Sequence, residues 1–587
     1  MKKINYIILL CGTSAIALSS CNDNYETLPV NQFTDEYVFS TTDSAGTQAT
    51  RFLNYTYEVI QNGTNRVGGD YLDAASDDAI SINMNGEPDV LKLSLGTYTP
   101  SNRVTSDMRW GEYYTGIRRA NIFIAGIDRV PFNTKYRDAL GQYRPLNVSM
   151  KAEARFLRAY FYFLLLERYG GVPLLGDKVY SLDDNLQIPR NTFAQCVDYI
   201  VNELDAIKDS LRTIPIENST AYAHVANKQA CMALKARVLL YAASPLFNEN
   251  PIEKGNELVG YASYDASRWK KAADAAREFI STYGDKGDKT FTLAPDARNV
   301  FLNFYSSSNP ELIFYRSQGN GHKTEINNGP LGFSGNKMGY GRTNPTQNLV
   351  DAFPMKDGKP IGQSTKYVYD SQRPYDNRDP RLDITVLHNG SHWLGIALQT
   401  YQGGADNPSS AGDFSQTGYY MNKFMGMFSN ATEYSDHTSL WVLLRYTEVL
   451  LNFAEAENES LSAPSQDVYN VIIQLRKRAG IDAGDDGMYG LDPEMTKEQM
   501  REVIHNERRL ELAFEEHRYF DIRRWREAET IFARPLTGMH ITQNTGAPIY
   551  TLIDVLNIKF DTRRYLYPIP YSEVIKNSNM IQNPNWK

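Results

Sequence analysis

Apolar residues recur at helical spacing over much of the chain. Between Lys151 and Tyr169, Phe156, Leu157, Tyr160, Phe161, Leu164 and Leu165 share one wide face, and Gly170-Gly171 with Pro173 ends the run. The same spacing predicts helices over Ala226–Ala243, stopped by Ser244-Pro245, and from near Trp269 onward. Further helices are predicted over Trp441–Asn458, Asp467–Ala479 closing at Gly480, and Lys497–Trp525. Residues 284–426 break this pattern. They are rich in Asn, Gly, Ser and Tyr, and too long for one loop. They read as an irregular insert with short strands such as Leu312-Ile313-Phe314-Tyr315.

Small residues on the helices allow close packing, and Trp269-x-x-Ala272-Ala273-x-x-Ala276 has the large-small-small rhythm that opens a tetratricopeptide helix. The expectation is a mostly α fold: a tetratricopeptide-like helical repeat scaffold with a large irregular insert containing short strands. A single domain would cover 21–587, its scaffold at about 40–283 and 427–587 and its ligand-binding insert at about 284–426.

Ahead of this domain, Lys2 and Lys3 precede an apolar run that reaches Leu18-Ser19-Ser20-Cys21. A basic start, an apolar stretch and small residues before a cysteine predict a lipoprotein signal peptide over 1–20, with Cys21 as the lipid attachment point. Acyl chains contribute about 0.8 kcal/mol per buried methylene, so more than one chain gives a stable anchor. Cys196 and Cys231 sit in apolar helical patterns and read as buried thiols, which excludes a disulfide scaffold.

Composition narrows the function. With 61 basic and 69 acidic side chains the formal charge is −8, so nucleic acid is not the expected partner. The 39 tyrosines beside 25 phenylalanines and 6 tryptophans supply rings with a wet hydroxyl edge. Catalytic constellations are sparse. No His-Glu-x-x-His, Cys-x-x-Cys or phosphate-binding glycine loop occurs, and Gly332-Phe333-Ser334-Gly335-Asn336 lacks the second glycine of a nucleophile elbow. His388 and His392 flank Asn389-Gly390 and read as imidazoles of a surface turn, not a metal pair. Glu507, Glu511 and Glu515 succeed one another on one helix face, and Glu455 and Glu457 lie on another helix. Neither set can flank a sugar at the roughly 5–9.5 Å that glycoside hydrolysis needs, so both read as salt-bridge partners.

Recognition is the remaining chemistry. Sugars present apolar C–H faces and hydroxyls, so a site for them combines flat aromatic rings with Asp, Asn, Gln or Arg. The irregular segments hold such mixtures: Tyr71, Asp73, Asp77 and Asp78; Tyr98 and Asn102; Phe333, Tyr340 and Arg342; His392, Trp393, Tyr401 and Gln402. The expected platforms are Trp393, Tyr98 and Tyr340, with Asp77, Asp78 and Arg342 as hydroxyl partners. Asp73, Asp77 and Asp78 also form a possible structural calcium site through carboxylate oxygens.

Several stretches together resemble the SusD/RagB family. They are Ala152-Glu153-Ala154-Arg155-Phe156-Leu157-Arg158-Ala159-Tyr160 with Tyr169-Gly170-Gly171-Val172-Pro173-Leu174, then Lys235 to Tyr241, Leu444 to Leu451, Glu507 to Glu515 with His517 to Trp525, and the closing Tyr567-Pro568-Ile569-Pro570 and Gln582 to Trp586. The resemblance implies a mostly helical outer-membrane lipoprotein with tetratricopeptide-like repeats, exposed on the cell surface and without enzymatic activity. It further implies a lid on a SusC-like TonB-dependent transporter that captures oligosaccharides or, in the RagB branch, peptides. The alternatives are a surface glycoside hydrolase and a ligand-free helical scaffold. The matching stretches are scaffold, so the resemblance assigns no binding residue.

Overall fold

The computed structural model describes residues 34–216, 225–248, 252–302, 309–407, 414–543 and 546–586. The signal segment and Cys21 lie outside the described residues. The fold is mostly helical. In chain order the main helices are α1 (Thr47–Tyr57), α2 (Trp110–Gly126), α3 (Leu146–Tyr169), α4 (Phe193–Ile207), α5 (Lys228–Ala243) and α6 (Ser267–Tyr283). The short α7 (Lys323–Asn328) precedes α8 (Tyr446–Ser460), α9 (Gln466–Ala479), α10 (Lys497–Glu511) and α11 (His517–Arg524). Helices α2 to α6 pack each on the next, α6 packs on α8, and α8 carries α9 and α10. This is the tetratricopeptide-like stack expected from the small-residue faces. Ala272, Ala273 and Ala276 of α6 are buried where it meets its neighbours.

Local sequence sets the helix ends. Thr192 with Gln195 and Thr496 with Gln499 form reciprocal capping boxes at the starts of α4 and α10, each satisfying two otherwise open backbone donors. Asn227 caps α5 through its side-chain oxygen, while its Nδ2 donates to the Ile313 carbonyl at 3.0 Å and so joins the helix to the strand region. Cys196 and Cys231 are buried free thiols.

The strands form small two-stranded antiparallel sheets. β1 (Ala79–Ser81) pairs with β3 (Thr343–Pro345), and β2 (Leu312–Gly321) pairs with β4 (His437–Arg445). β5 (Leu536–Thr542) pairs with β6 (Ile549–Leu556). Two helix boundaries therefore differ from expectation. Trp441 to Arg445 are strand, and the helix begins at Tyr446. The run Leu440-Trp441-Val442-Leu443-Leu444 is apolar on both faces, which does not separate a buried strand from a helix, and pairing with β2 decides it. The run predicted over Lys497–Trp525 is broken after Glu511. Phe514 and Glu516 adopt left-handed backbone, with φ of 61° and 64°, and the turn is held from outside by the Asp73 carboxylate. That carboxylate accepts from Phe514 N at 3.1 Å and Glu516 N at 3.3 Å.

One large core runs through the helices. A second, smaller one gathers Leu387, Trp393, Leu394, Leu398, Tyr420, Met425, Phe428 and Tyr434, with Leu331 and Phe333 packed against it. That small core underlies the loop from Gly329 to Arg342. Among the described residues, no helix is long and apolar enough to cross a membrane.

Candidate functional site

The expected platforms separate sharply. Trp393 is 1% exposed, edge-on to Phe428 and Tyr434, and its Nε1 donates to the Tyr434 hydroxyl at 3.2 Å. It is the centre of the small core and not a surface ring. Tyr98 is also 1% exposed: it stacks on Trp586 at 5.3 Å and meets Tyr567 edge-on, so it belongs to the scaffold. Both sit in polar sequence, but long-range partners cover them. Tyr340 is different, with 45% of its surface exposed.

The acidic candidates are also scaffold. Asp77 accepts two hydrogen bonds from Arg518, at 2.8 and 2.9 Å, and lies 2.9 Å from Arg509. Asp78 accepts from Arg509 Nε at 2.6 Å. Burial opposes ionisation of both. At Asp77 it is outweighed by the two guanidiniums, which hold the carboxyl below its ordinary value. At Asp78 burial and the neighbouring Asp77 charge prevail over Arg509 and push it up. With Asp73 committed to two backbone donors, the three carboxylates do not form the open oxygen cage that calcium requires. Among the described residues no cluster of His, Cys, Asp or Glu suits a metal ion.

The helical glutamates are buried ion-pair partners. Glu507 pairs with Arg381 and, at 3.0 Å, with Arg476; Glu511 pairs with Arg381 at 2.9 Å and Arg478 at 2.5 Å. Glu515 lies 2.8 Å from both Arg445 and Lys423, and Glu455 binds Arg524 and the Trp525 indole N–H. His388 stacks on Tyr375 at 3.8 Å and faces Asp383, so it is a packed ring, while His392 is exposed.

What the fold brings together is a face built from residues 62–70 and residues 322–342. The Ile82 N–H donates to the Arg342 carbonyl at 2.7 Å, extending the β1–β3 pair and fixing Arg342 at its edge. Tyr340 N–H donates to the Ile326 carbonyl and Arg342 N–H to the Asn327 carbonyl, which tie the loop to α7. The Arg342 guanidinium lies 5.6 Å from the centre of the Tyr340 ring and donates from Nε to the Asn327 side chain at 3.1 Å. Asn65 and Asn328 exchange amide hydrogen bonds at 3.0 and 2.9 Å. The 62–70 turn is seated from below, since a methyl group at Gly63 would lie 2.0 Å from the Trp441 ring. Under Arg342, the buried Asp70 carboxylate accepts from Ser81 Oγ at 2.8 Å and Thr343 Oγ1 at 3.0 Å, and burial pushes it up to about 7.

Tyr340 and Arg342 were legible as candidates; Asn65, Gly69, Asn327 and Asn328 were not. Their signal was present as Gly68-Gly69 and Asn327-Asn328-Gly329, turn-forming pairs whose meeting depends on β1 finding β3.

The stack of helix pairs thus carries a loop-built face with an exposed tyrosine ring. Comparison with known proteins places it more narrowly. The SusD family model matches residues 310–586, and the family described as "Starch-binding associating with outer membrane" matches residues 36–240. The chain belongs to the SusD/RagB family. SusD-like protein P38 of Formosa agariphila is 22% identical over 99% of this chain and 98% of its own length. The crystal structure of a SusD-like protein from Bacteroides fragilis has 25% identity and a TM-score of 0.74, covering 94% of this chain and 99% of that one. A laminarin-binding SusD-like protein shares the fold at 19% identity with a TM-score of 0.59, covering 92% of this chain and 99% of that one.

Proposed function

We propose that this chain is a cell-surface lipoprotein, anchored through Cys21 in the outer membrane, that captures oligosaccharides and delivers them as a lid to a SusC-like TonB-dependent transporter. The ligand face is the one around Tyr340. The observation that carries this reading is an exposed tyrosine ring, tied through its backbone to α7, beside a guanidinium. Flat aromatic surface suits the C–H faces of sugar rings, and a guanidinium donates to their oxygens. Family membership supports it, as do the family description naming starch binding and outer-membrane association and the laminarin-binding relative of the same fold. The role is binding, not catalysis: Glu455, Glu507, Glu511 and Glu515 are all buried in ion pairs.

A glycan array probed with the full-length protein tests the reading, with a peptide library as the competing arm. Oligosaccharide binding is expected, weakened at least about tenfold by Tyr340→Ala, by analogy with the loss of a central aromatic at an interface. Binding of peptides alone, or glycan affinity unchanged by the substitution, would move the function or the site elsewhere.

A further inference from the structure

Arg342 lies beside the exposed Tyr340 ring and, among the described residues, is not taken up by the protein's own ion pairs. Arg66, Arg381, Arg445, Arg508, Arg518 and Arg524 all face carboxylates within 3.0 Å. Arg190, Arg378 and Arg564, where no carboxylate pairs, each satisfy their terminal nitrogens on backbone carbonyls. Arg342 uses only Nε, on the neutral Asn327 amide. Among the described residues it forms no ion pair, and its two terminal nitrogens donate to nothing. The fork is therefore left open on the same face as the exposed Tyr340 ring.

A methyl group at Gly69 would lie 2.5 Å from Arg342 Nη1, so the turn passes close to the guanidinium only because no side chain stands there; Gly69 also has a φ of 99°, a backbone conformation that glycine adopts freely. The Asp70 carboxylate beneath is occupied by two hydroxyl donors and, though it feels the Arg342 charge, forms no ion pair with it. Local charge points the same way. The chain as a whole carries −8, yet residues 322–342 hold Lys323, Lys337 and Arg342 against a single acid, Glu325. Glu325 is buried and engaged by the Gly426 N–H at 2.7 Å and the His437 ring at 2.8 Å.

Resting on the glycan-binding reading above, we infer that the ligand is an anionic oligosaccharide, whose carboxylate or sulfate is held by the two terminal nitrogens of Arg342 while an adjoining sugar ring lies on Tyr340. A planar guanidinium matches two oxygens of either anion at once, a geometry that a neutral hydroxyl cannot return. Uronates and sulfate esters present the same chemistry to the fork, and the experiment separates them.

Isothermal titration of the full-length protein in detergent would use matched pairs: an oligogalacturonate with its methyl-esterified form, and a sulfated galactan oligosaccharide with its desulfated form. Laminarin oligosaccharides serve as a neutral arm. One charged member is expected to bind at least tenfold more tightly than its neutralised partner, and the pair that does so identifies the anion. Arg342→Gln should abolish that preference, with an unchanged melting temperature, and Arg342→Lys should restore part of it. Equal binding of both members of each pair, or a charge preference that survives Arg342→Gln, overturns the inference. Binding of laminarin alone, lost in Tyr340→Ala, also overturns it but leaves the proposed function standing. Absence of binding to all five removes both.

Discussion

Asp70, Asp73, Asp77 and Asp78 lie within nine positions, and their carboxylates meet different surroundings: two hydroxyls for Asp70, two backbone N–H groups of a left-handed turn for Asp73, and the guanidiniums of Arg509 and Arg518 for Asp77, with Arg509 shared by Asp78. Residue type alone did not distinguish these from ligand contacts, because the partners come from more than 400 positions away for three of the four. The aromatics follow the same rule. Trp393 and Tyr340 both stand in polar, glycine-rich sequence, yet one is enclosed by Phe428 and Tyr434 and the other stays wet. Their substitutions should therefore report different properties. Trp393→Ala is expected to cost about 3–5 kcal/mol of folding stability, the range for emptying a large aromatic site, read as a lowered urea midpoint. Tyr340→Ala should leave that midpoint in place while weakening ligand.

At the scale of elements, α10 carries a chain of buried charge. Glu507 and Glu511 connect it to Arg381, to Arg476 and Arg478 of α9, and so through Glu311 to Arg445 at the end of β4. Burial alone would raise the Glu511 carboxyl, but Arg478, Arg381 and Arg445 together lower it to about 2; Arg524 does the same for Glu455, also to about 2. Both values fall below the ordinary 4.5, so the stabilisation is complete above about pH 4.5 and is lost as the pH falls through about 2. Urea midpoints measured from pH 7 down to pH 2 should decline in that window. Glu511→Gln should flatten the decline and, by leaving buried guanidiniums short of a counter-charge, cost about 3–5 kcal/mol at pH 7. The helices themselves were legible because α3, α5, α6 and α9 combine clean periodicity with strong stops. The β4 strand and the break before α11 were not, since the first depends on pairing with β2 and the second on Asp73. The candidate face was half legible for the same reason: Tyr340 and Arg342 are local to one loop, whereas the amides and Gly69 join them only through tertiary contacts.

The whole molecule is read at its membrane. If Cys21 is the attachment point, Cys21→Ala should abolish labelling by a palmitate analogue and move the protein out of the membrane fraction. If the chain is a transporter lid, mild-detergent purification from native membranes should recover a β-barrel partner, held by an interface of roughly 2,000 Å² or more. The carboxyl-terminal stretch completes contacts of residues far earlier in the chain. Asn583 donates to the Tyr169 and Tyr567 carbonyls, Trp586 covers Tyr98, and Arg509 and Arg518 neutralise Asp77 and Asp78. A chain made amino end first thus exposes unneutralised carboxylates and an uncovered Tyr98 until its carboxyl-terminal fifth has been synthesised. Native contacts of such long range raise the contact order and so slow folding. Closure of this part of the fold waits on the last residues to be made: Trp586 for the Tyr98 ring, and Asn583 for the Tyr169 and Tyr567 carbonyls.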